Sequence, residues 1–214
     1  MNGHIQNTNG SNAPSPVGKG DGVVIIKYNA GNIRSVLFAL ERIGVRATVT
    51  DDPEALQAAD KIIFPGVGEA STAMNYLKER KLDLLIRNAR QPLLGICLGM
   101  QLLCAHSEEN DTQCLGIFDV PVKKFISTEL KIPQMGWNTI HTKESALFRN
   151  VPQDTWCYFV HSYYATLNPE TIATTSYATD FSSALHKDNF YGVQFHPEKS
   201  ADAGAQILKN FLDL

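Results

Sequence analysis

A chain of 214 residues that is 43% hydrophobic and 19% charged has enough apolar material for one α/β domain with its own core, without disulfide or metal support. A formal net charge of −3 supplies no basic field to hold a phosphate backbone, so nucleic acid is excluded as a first class of partner. No apolar run approaches the roughly 20 residues of a membrane-spanning helix, and four irregularly spaced cysteines favour reduced thiols over a disulfide framework.

Residues 1–20 are rich in Gly, Asn, Ser and Pro and are expected to form a flexible extension, since such a composition does not offset the entropy lost on ordering. They carry no basic stretch followed by an apolar one, so no secretory signal is read there and a cytoplasmic location is expected. A single domain is expected over 21–214. Val23-Val24-Ile25-Ile26 is a short β-branched run, as in a buried strand. Ile33, Val36, Leu37, Leu40 and Ile43 then recur at helical spacing, and Gly44 supplies a stop before the extended run 45–49. The pattern repeats with a helix over 53–59, a strand at Ile62-Ile63-Phe64, and helices near 71–76 and 82–89. Pro92 to Ile96 reads as a central strand running straight into Cys97 and a further helix.

Strands joined by helices predict a mainly parallel sheet flanked by helices. Beyond Gly116 the strand candidates come close together, at 118–125, 155–160, 171–177 and 191–195, which predicts antiparallel additions and a mixed sheet. A last helix carries Ile207, Leu208, Phe211 and Leu212 as an apolar stripe.

Gly95-Ile96-Cys97-Leu98-Gly99 has the form G-x-C-x-G between a strand and a helix, the thiol counterpart of the nucleophile elbow. A sharp turn there lifts the side chain clear of the sheet, and the flanking glycines leave room for it. The N–H groups at the helix start favour a thiolate and can also donate to an oxyanion. An unperturbed thiol has a pKa of about 8.5, so a base is needed. Of six histidines, His196 has the best context, at the end of an alternating strand, where open α/β sheets place their sites. Pro197 biases it towards extended backbone, in which Glu198 projects on the same side and can orient the imidazole. Cys97, His196 and Glu198 thus form a triad by role. Pro65-Gly66-Val67-Gly68, after a strand expected beside the elbow strand, is the candidate oxyanion turn, with Val67 N–H and Leu98 N–H as donors. Cys104, Cys114 and Cys157 read as packing residues. No C-x-x-C or H-x-x-x-H pair occurs, so no metal site is expected, and the scheme needs no cofactor.

The segments Gly95 to Gln101 and His196-Pro197-Glu198 together resemble the class I, or triad, glutamine amidotransferases, and the resemblance runs from about Val23 to Leu214. Further details resemble the branch that serves histidine biosynthesis: Ala30-Gly31-Asn32, the Pro65 to Gly68 turn, Met135-Gly136-Trp137-Asn138, Phe159 to Tyr163, and Lys199-Ser200 after the triad segment. The resemblance implies hydrolysis of L-glutamine to glutamate and ammonia, with the ammonia passed to a cyclase subunit of (β/α)8-barrel fold in a heterodimer. It implies Gly66, Gly68, Gln101, Ser162 and Tyr163 as substrate contacts, and Asn32, Trp137, Tyr158 and Lys199 as residues facing the cyclase. The chain departs from the family pattern at Lys27-Tyr28-Asn29, where Asp-Tyr-Gly is frequent, and at Gln134, where a histidine is frequent. Three alternatives stand beside this reading: an amidotransferase subunit of another synthase, a catalytically silent regulatory module, and a free-standing thiol hydrolase.

Overall fold

The computed structural model describes residues 22–28 and 32–214; the expected extension over 1–20, and Ala30-Gly31 of the first motif, lie outside the described residues. A parallel arrangement is built from β1 (Val23–Ile26), β2 (Thr48–Thr50), β3 (Lys61–Gly66) and β4 (Leu93–Cys97), in the order β2-β1-β3-β4. The connecting helices are α1 (Ile33–Arg42), α2 (Pro53–Ala58), α3 (Ala70–Glu79) and α4 (Leu82–Arg87), with α5 (Leu98–Leu103) following β4 directly. Each crossover helix returns the chain to the start of the next parallel strand, which is why the β-α-β punctuation was readable.

The β-branched strands are buried on both faces, and their period of two divides them between two cores. Val24, Ile62, Phe64 and Leu93 point towards α2, α3, α4 and α5. Val23, Ile25, Ile63, Leu94 and Ile96 point towards α1 and the C-terminal helix α6 (Ala201–Leu212), whose Ile207, Leu208 and Phe211 are buried. Full burial of each such side chain contributes about 1.5–3 kcal/mol, so both layers of helix are held by the same strands.

The second half adds β5 (His106–Ser107), β6 (Thr112–Gln113), β7 (Pro121–Lys124), β8 (Gln134–Thr142), β9 (Thr155–His161), β10 (Tyr163–Ala165), β11 (Thr171–Tyr177), β12 (Thr179–Lys187) and β13 (Phe190–Val193). β13 lies parallel to β4, with Val193 opposite Ile96, and antiparallel to β12, so it joins the parallel and antiparallel parts. β8 and β9 form a long hairpin that reaches the sheet through β11. The expected mixed sheet is therefore present, with differences at strand ends. The extended run after Gly44 shortens to β2, because Val45 is drawn back by its N–H to the Leu40 carbonyl at the end of α1. β8 and β12 were not foreseen as strands. Gly136, at φ +136, interrupts the alternation of β8, and buried Ser182 and Ser183 give β12 a polar appearance.

Candidate active site

Cys97 ends β4 and begins the turn into α5 with φ 54 and ψ −110, a sparsely populated conformation that costs a β-carbon residue on the order of 1–3 kcal/mol. Two close approaches make the elbow possible. A β-carbon on Gly99 would lie 1.8 Å from the Phe64 carbonyl oxygen of β3, and one on Gly95 would lie 2.8 Å from the Met100 nitrogen. The glycines therefore let α5 sit directly against the sheet and hold the thiol at its C-terminal edge.

The neighbouring strands deliver the other groups. On one side Gly66 pairs with Cys97, so Val67 and Gly68, the latter at φ +114, turn over the elbow. A β-carbon on Gly66 would lie 2.1 Å from the Tyr28 hydroxyl, which explains why this position is bare. On the other side β13 continues past Val193 to His196, whose N–H donates to the Tyr158 carbonyl at 2.8 Å. His196 is extended (φ −99, ψ 95), but Pro197–Lys199 forms a single 3-10 turn. Glu198 thus reaches the imidazole by curling back rather than by the same-side projection of an extended segment. Its Oε1 lies 2.8 Å from His196 Nδ1, with both side chains buried. Asn32, at the start of α1 in left-handed backbone, also donates through Nδ2 to Glu198 Oε1, while Arg42 Nη2 donates to the Glu198 carbonyl at 3.3 Å.

Burial opposes charge on His196, yet the Cys97 sulfur, through its charge and a hydrogen bond, and then Glu198, outweigh it and raise the imidazole from 6.5 to about 10. Thiol, imidazole and carboxylate thus stand in line, the arrangement by which an imidazole serves a cysteine nucleophile. The Cys97 sulfur also lies 3.7 Å from the Val160 carbonyl oxygen of β9. His161 differs from His196. Burial takes it down to about 4, the Tyr163 carbonyl acting in the other direction, so it is neutral and packs against Phe125, Phe159 and Phe181. The other thiols, Cys104, Cys114 and Cys157, are fully buried, with Cys114 and Cys157 each pushed up by burial to about 12. Only Cys114 has a cation acting on it, Lys78, and burial outweighs it, so none of the three has the surroundings that activate a thiol.

A cavity of about 300 Å3 opens on the sulfur, bordered among others by Val67, Gly68, Leu98, Gln101, Ser162 and Tyr163. That is the small end of ligand pockets and suits one amino acid. Lys199 and Glu109 also border it. Gly66 lies one residue behind the turn, within β3. Of the residues read as facing a partner, Trp137 and Tyr158 stack edge to face, and Lys199 Nζ sits 5.7 Å over the Tyr158 ring. Asn32 instead has its amide on Glu198. Glu109 was not singled out from the sequence. It belongs to the acidic pair Glu108-Glu109 without periodic context, and its carboxylate is turned to the cavity's edge by the Ala70 N–H at 2.8 Å. Among the described residues no group of three or more His, Cys, Asp or Glu side chains is arranged to hold a metal ion, and no helix is long and apolar enough to cross a membrane.

A strand-to-helix thiol elbow beside a buried His–Glu pair defines a thiol amidotransferase site, and the family model for class I glutamine amidotransferases matches residues 24–214: the chain belongs to that family and is a glutamine-hydrolysing enzyme. Within it, the chain is 60% identical over 194 residues to the imidazole glycerol phosphate synthase subunit HisH of Bacteroides fragilis, covering 90% of this chain and 99% of that one. The corresponding HisH subunit of Yersinia pseudotuberculosis is 48% identical with the same coverage. Among solved structures, PurLQS from Thermotoga maritima superimposes with a TM-score of 0.67 at 16% identity, covering 89% of this chain and 97% of that one, a likeness of fold.

Proposed function

We infer that this chain is the glutaminase subunit of an imidazole glycerol phosphate synthase, hydrolysing L-glutamine through Cys97, His196 and Glu198 and handing the ammonia to a cyclase subunit for histidine biosynthesis. The observation that carries the chemistry is the buried His196–Glu198 pair at 2.8 Å beside a thiol held at an elbow. The identity with HisH subunits over nearly their whole length supports the assignment to this synthase.

In this reading the Cys97 thiolate attacks the side-chain amide carbon of glutamine. The carbonyl π pair moves to oxygen, where the Val67 and Leu98 N–H groups receive it; each such donor contributes roughly 2.7–4 kcal/mol. Imidazolium at His196 gives its proton to the departing nitrogen, the C–N bond breaks, and ammonia leaves a glutamyl thioester. Neutral His196 then takes a proton from water as that water attacks, and collapse of the second tetrahedral intermediate releases glutamate and the thiolate. A base positioned in this way contributes about 10²- to 10⁴-fold. Glu198 keeps Nδ1 protonated, so Nε2 faces the reaction. The cavity's Glu109 and Lys199 offer opposite charges to the ammonium and carboxylate of an amino acid, with Gly66, Gly68, Gln101, Ser162 and Tyr163 completing the fit.

The cyclase partner, of (β/α)8-barrel fold, would dock on the outer face of β8–β9. Met135 (67% exposed), Trp137 (49%) and Trp156 (59%) lie on that face, and register places Trp137 opposite Tyr158 and Met135 opposite Val160. Val160 touches both this face and the Cys97 cavity, so ammonia has a short route between them. A shielded route matters because ammonia in neutral water is largely protonated and no longer nucleophilic.

The test measures glutamate release by the isolated chain, with cyclase, and with cyclase plus its nucleotide ligand. Stepwise stimulation is expected; the absence of stimulation by either addition rules the synthase reading out. In the complex, Cys97→Ala should abolish glutamine-dependent synthesis and leave synthesis from ammonium salts intact.

A further inference from the structure

A second side-chain path, besides the imidazole, reaches the Cys97 sulfur. Gln194 is fully buried and lies between β13 and His196. Its Nε2 is 3.7 Å from Cys97 Sγ, while its Oε1 accepts from Gln101 Nε2 at 2.9 Å. Gln101 Nε2 also donates to the Tyr163 carbonyl at 2.8 Å. The direction of this chain is fixed at its far end. A backbone carbonyl only accepts, so Gln101 must present its NH2 group there; its second hydrogen then faces Gln194, which must present oxygen. Gln194 is left with its own NH2 turned to the sulfur.

The need for such a donor follows from the other neighbours. The Val160 carbonyl at 3.7 Å is matched to an S–H and repels a thiolate. Tyr28, whose burial and proximity to Cys97 push its hydroxyl up, is neutral and adds no positive charge. Apart from His196, with Glu198 behind it, Gln194 is the side-chain donor on the sulfur among the described residues.

We propose that Gln194 is a catalytic residue of the glutaminase reaction, its carboxamide N–H donating to the Cys97 sulfur and holding negative charge there before attack and again as the thioester is cleaved. Gln101, which borders the cavity, acts behind it as a positioning residue. This rests on Cys97 being the nucleophile, but its test need not turn over glutamine.

The test is the rate of Cys97 alkylation by iodoacetamide as a function of pH, followed by peptide mass spectrometry on the full chain; Cys97 borders the open cavity, whereas the other three thiols have no exposed surface. In Gln194→Met the rate near neutral pH should fall roughly tenfold, the weak end for a hydrogen bond to a charged group. The midpoint should rise by about one pH unit, and the rates should converge at high pH. Gln194→Glu keeps the acceptor for Gln101 but turns oxygen to the sulfur, and should move the midpoint in the same direction, which covers a Met variant that does not fold. A profile superimposable on wild type in either folded variant overturns the proposal, as does a lower Tm with no change of midpoint. Retention of glutaminase activity by Cys97→Ala would instead overturn the reading of the nucleophile.

Discussion

Asn32 offers the sharpest separation between a role in the triad and a role at the partner surface. Glu198 Oε1 accepts from both His196 Nδ1 and Asn32 Nδ2, whereas Oε2 is buried with no partner among the described residues. Removing the Asn32 amide therefore leaves a buried carboxylate with a single side-chain donor. Asn32 stands at φ 81, where alanine would add strain of about 1–2 kcal/mol; Asn32→Gly tolerates that backbone and isolates the amide. A hydrogen bond to a charged group contributes about 1.5–3 kcal/mol, equivalent to roughly 10- to 150-fold in rate if fully transmitted to the transition state. Arg42 still holds the Glu198 carbonyl and limits the loss of position, so a fall in kcat of about tenfold is expected. KM should change little, because Asn32 does not border the cavity. Asn32→Asp should lose more, since it replaces the donor with a second carboxylate. Steady-state glutaminase kinetics at saturating cyclase and nucleotide separate these outcomes from weaker assembly. Wild-type kcat in Asn32→Gly, with only the apparent affinity for cyclase reduced, refutes the reasoning.

Two further outcomes follow from the site's geometry. Cys97→Ala removes the largest influence raising His196 and leaves only Glu198 against burial, which lowers it, so the ring should titrate well below about 10 by NMR; an unchanged midpoint contradicts the coupling of ring and sulfur. Because the folded value lies above the unfolded 6.5, the stabilisation from protonated His196 is complete below pH 6.5 and is lost as pH rises through about 10, and in Cys97→Ala that loss should come at lower pH. Gly99→Ala would drive a β-carbon to 1.8 Å from the Phe64 carbonyl oxygen, pushing α5 off β3; such overpacking costs about 1–3 kcal/mol or more, so thermal melts should show a clear fall in Tm together with loss of activity.

What was legible in the sequence is what sterics impose locally. Gly95 and Gly99 around Cys97 mark an elbow because no other side chain fits against Met100 or Phe64, and the short apolar run before Cys97 marks a buried parallel strand. The neighbours of that strand were partly legible too, since one β-α-β unit places β3 next to β4. Other features depend on pairing over long separations and leave no local trace. The Glu198 contact arises from a 3-10 turn rather than extended backbone. The Asn32 amide reaches it across 166 residues, and Glu109 meets the cavity only because Ala70 holds it there. Gln194 did leave a signal: a polar residue two places before His196, directly after an apolar strand, must find a hydrogen-bond partner if it is buried.

The same strands that build the site also bear the surface assigned to the partner, and this bears on regulation. Tyr158 receives the N–H of His196 on its carbonyl and gives its own N–H to Ser200 Oγ at 3.0 Å, while Ser200 Oγ donates to the His196 carbonyl at 2.7 Å. Two residues along β9, Val160 presents its carbonyl to the sulfur. The backbone that holds His196 and faces Cys97 thus carries, on its outward face, exposed Trp137, half-buried Tyr158 and Lys199. A subunit pressing on that face meets strands hydrogen-bonded to two of the three triad residues. β9 touches both His196 and Cys97 through its backbone carbonyls, whereas β2, at the far edge of the sheet, pairs only with β1. On the docking proposed above, control of glutamine hydrolysis by a partner needs no separate relay, because β9 carries the proposed docking face on one side and its carbonyls hold the His196 N–H and face the Cys97 sulfur on the other.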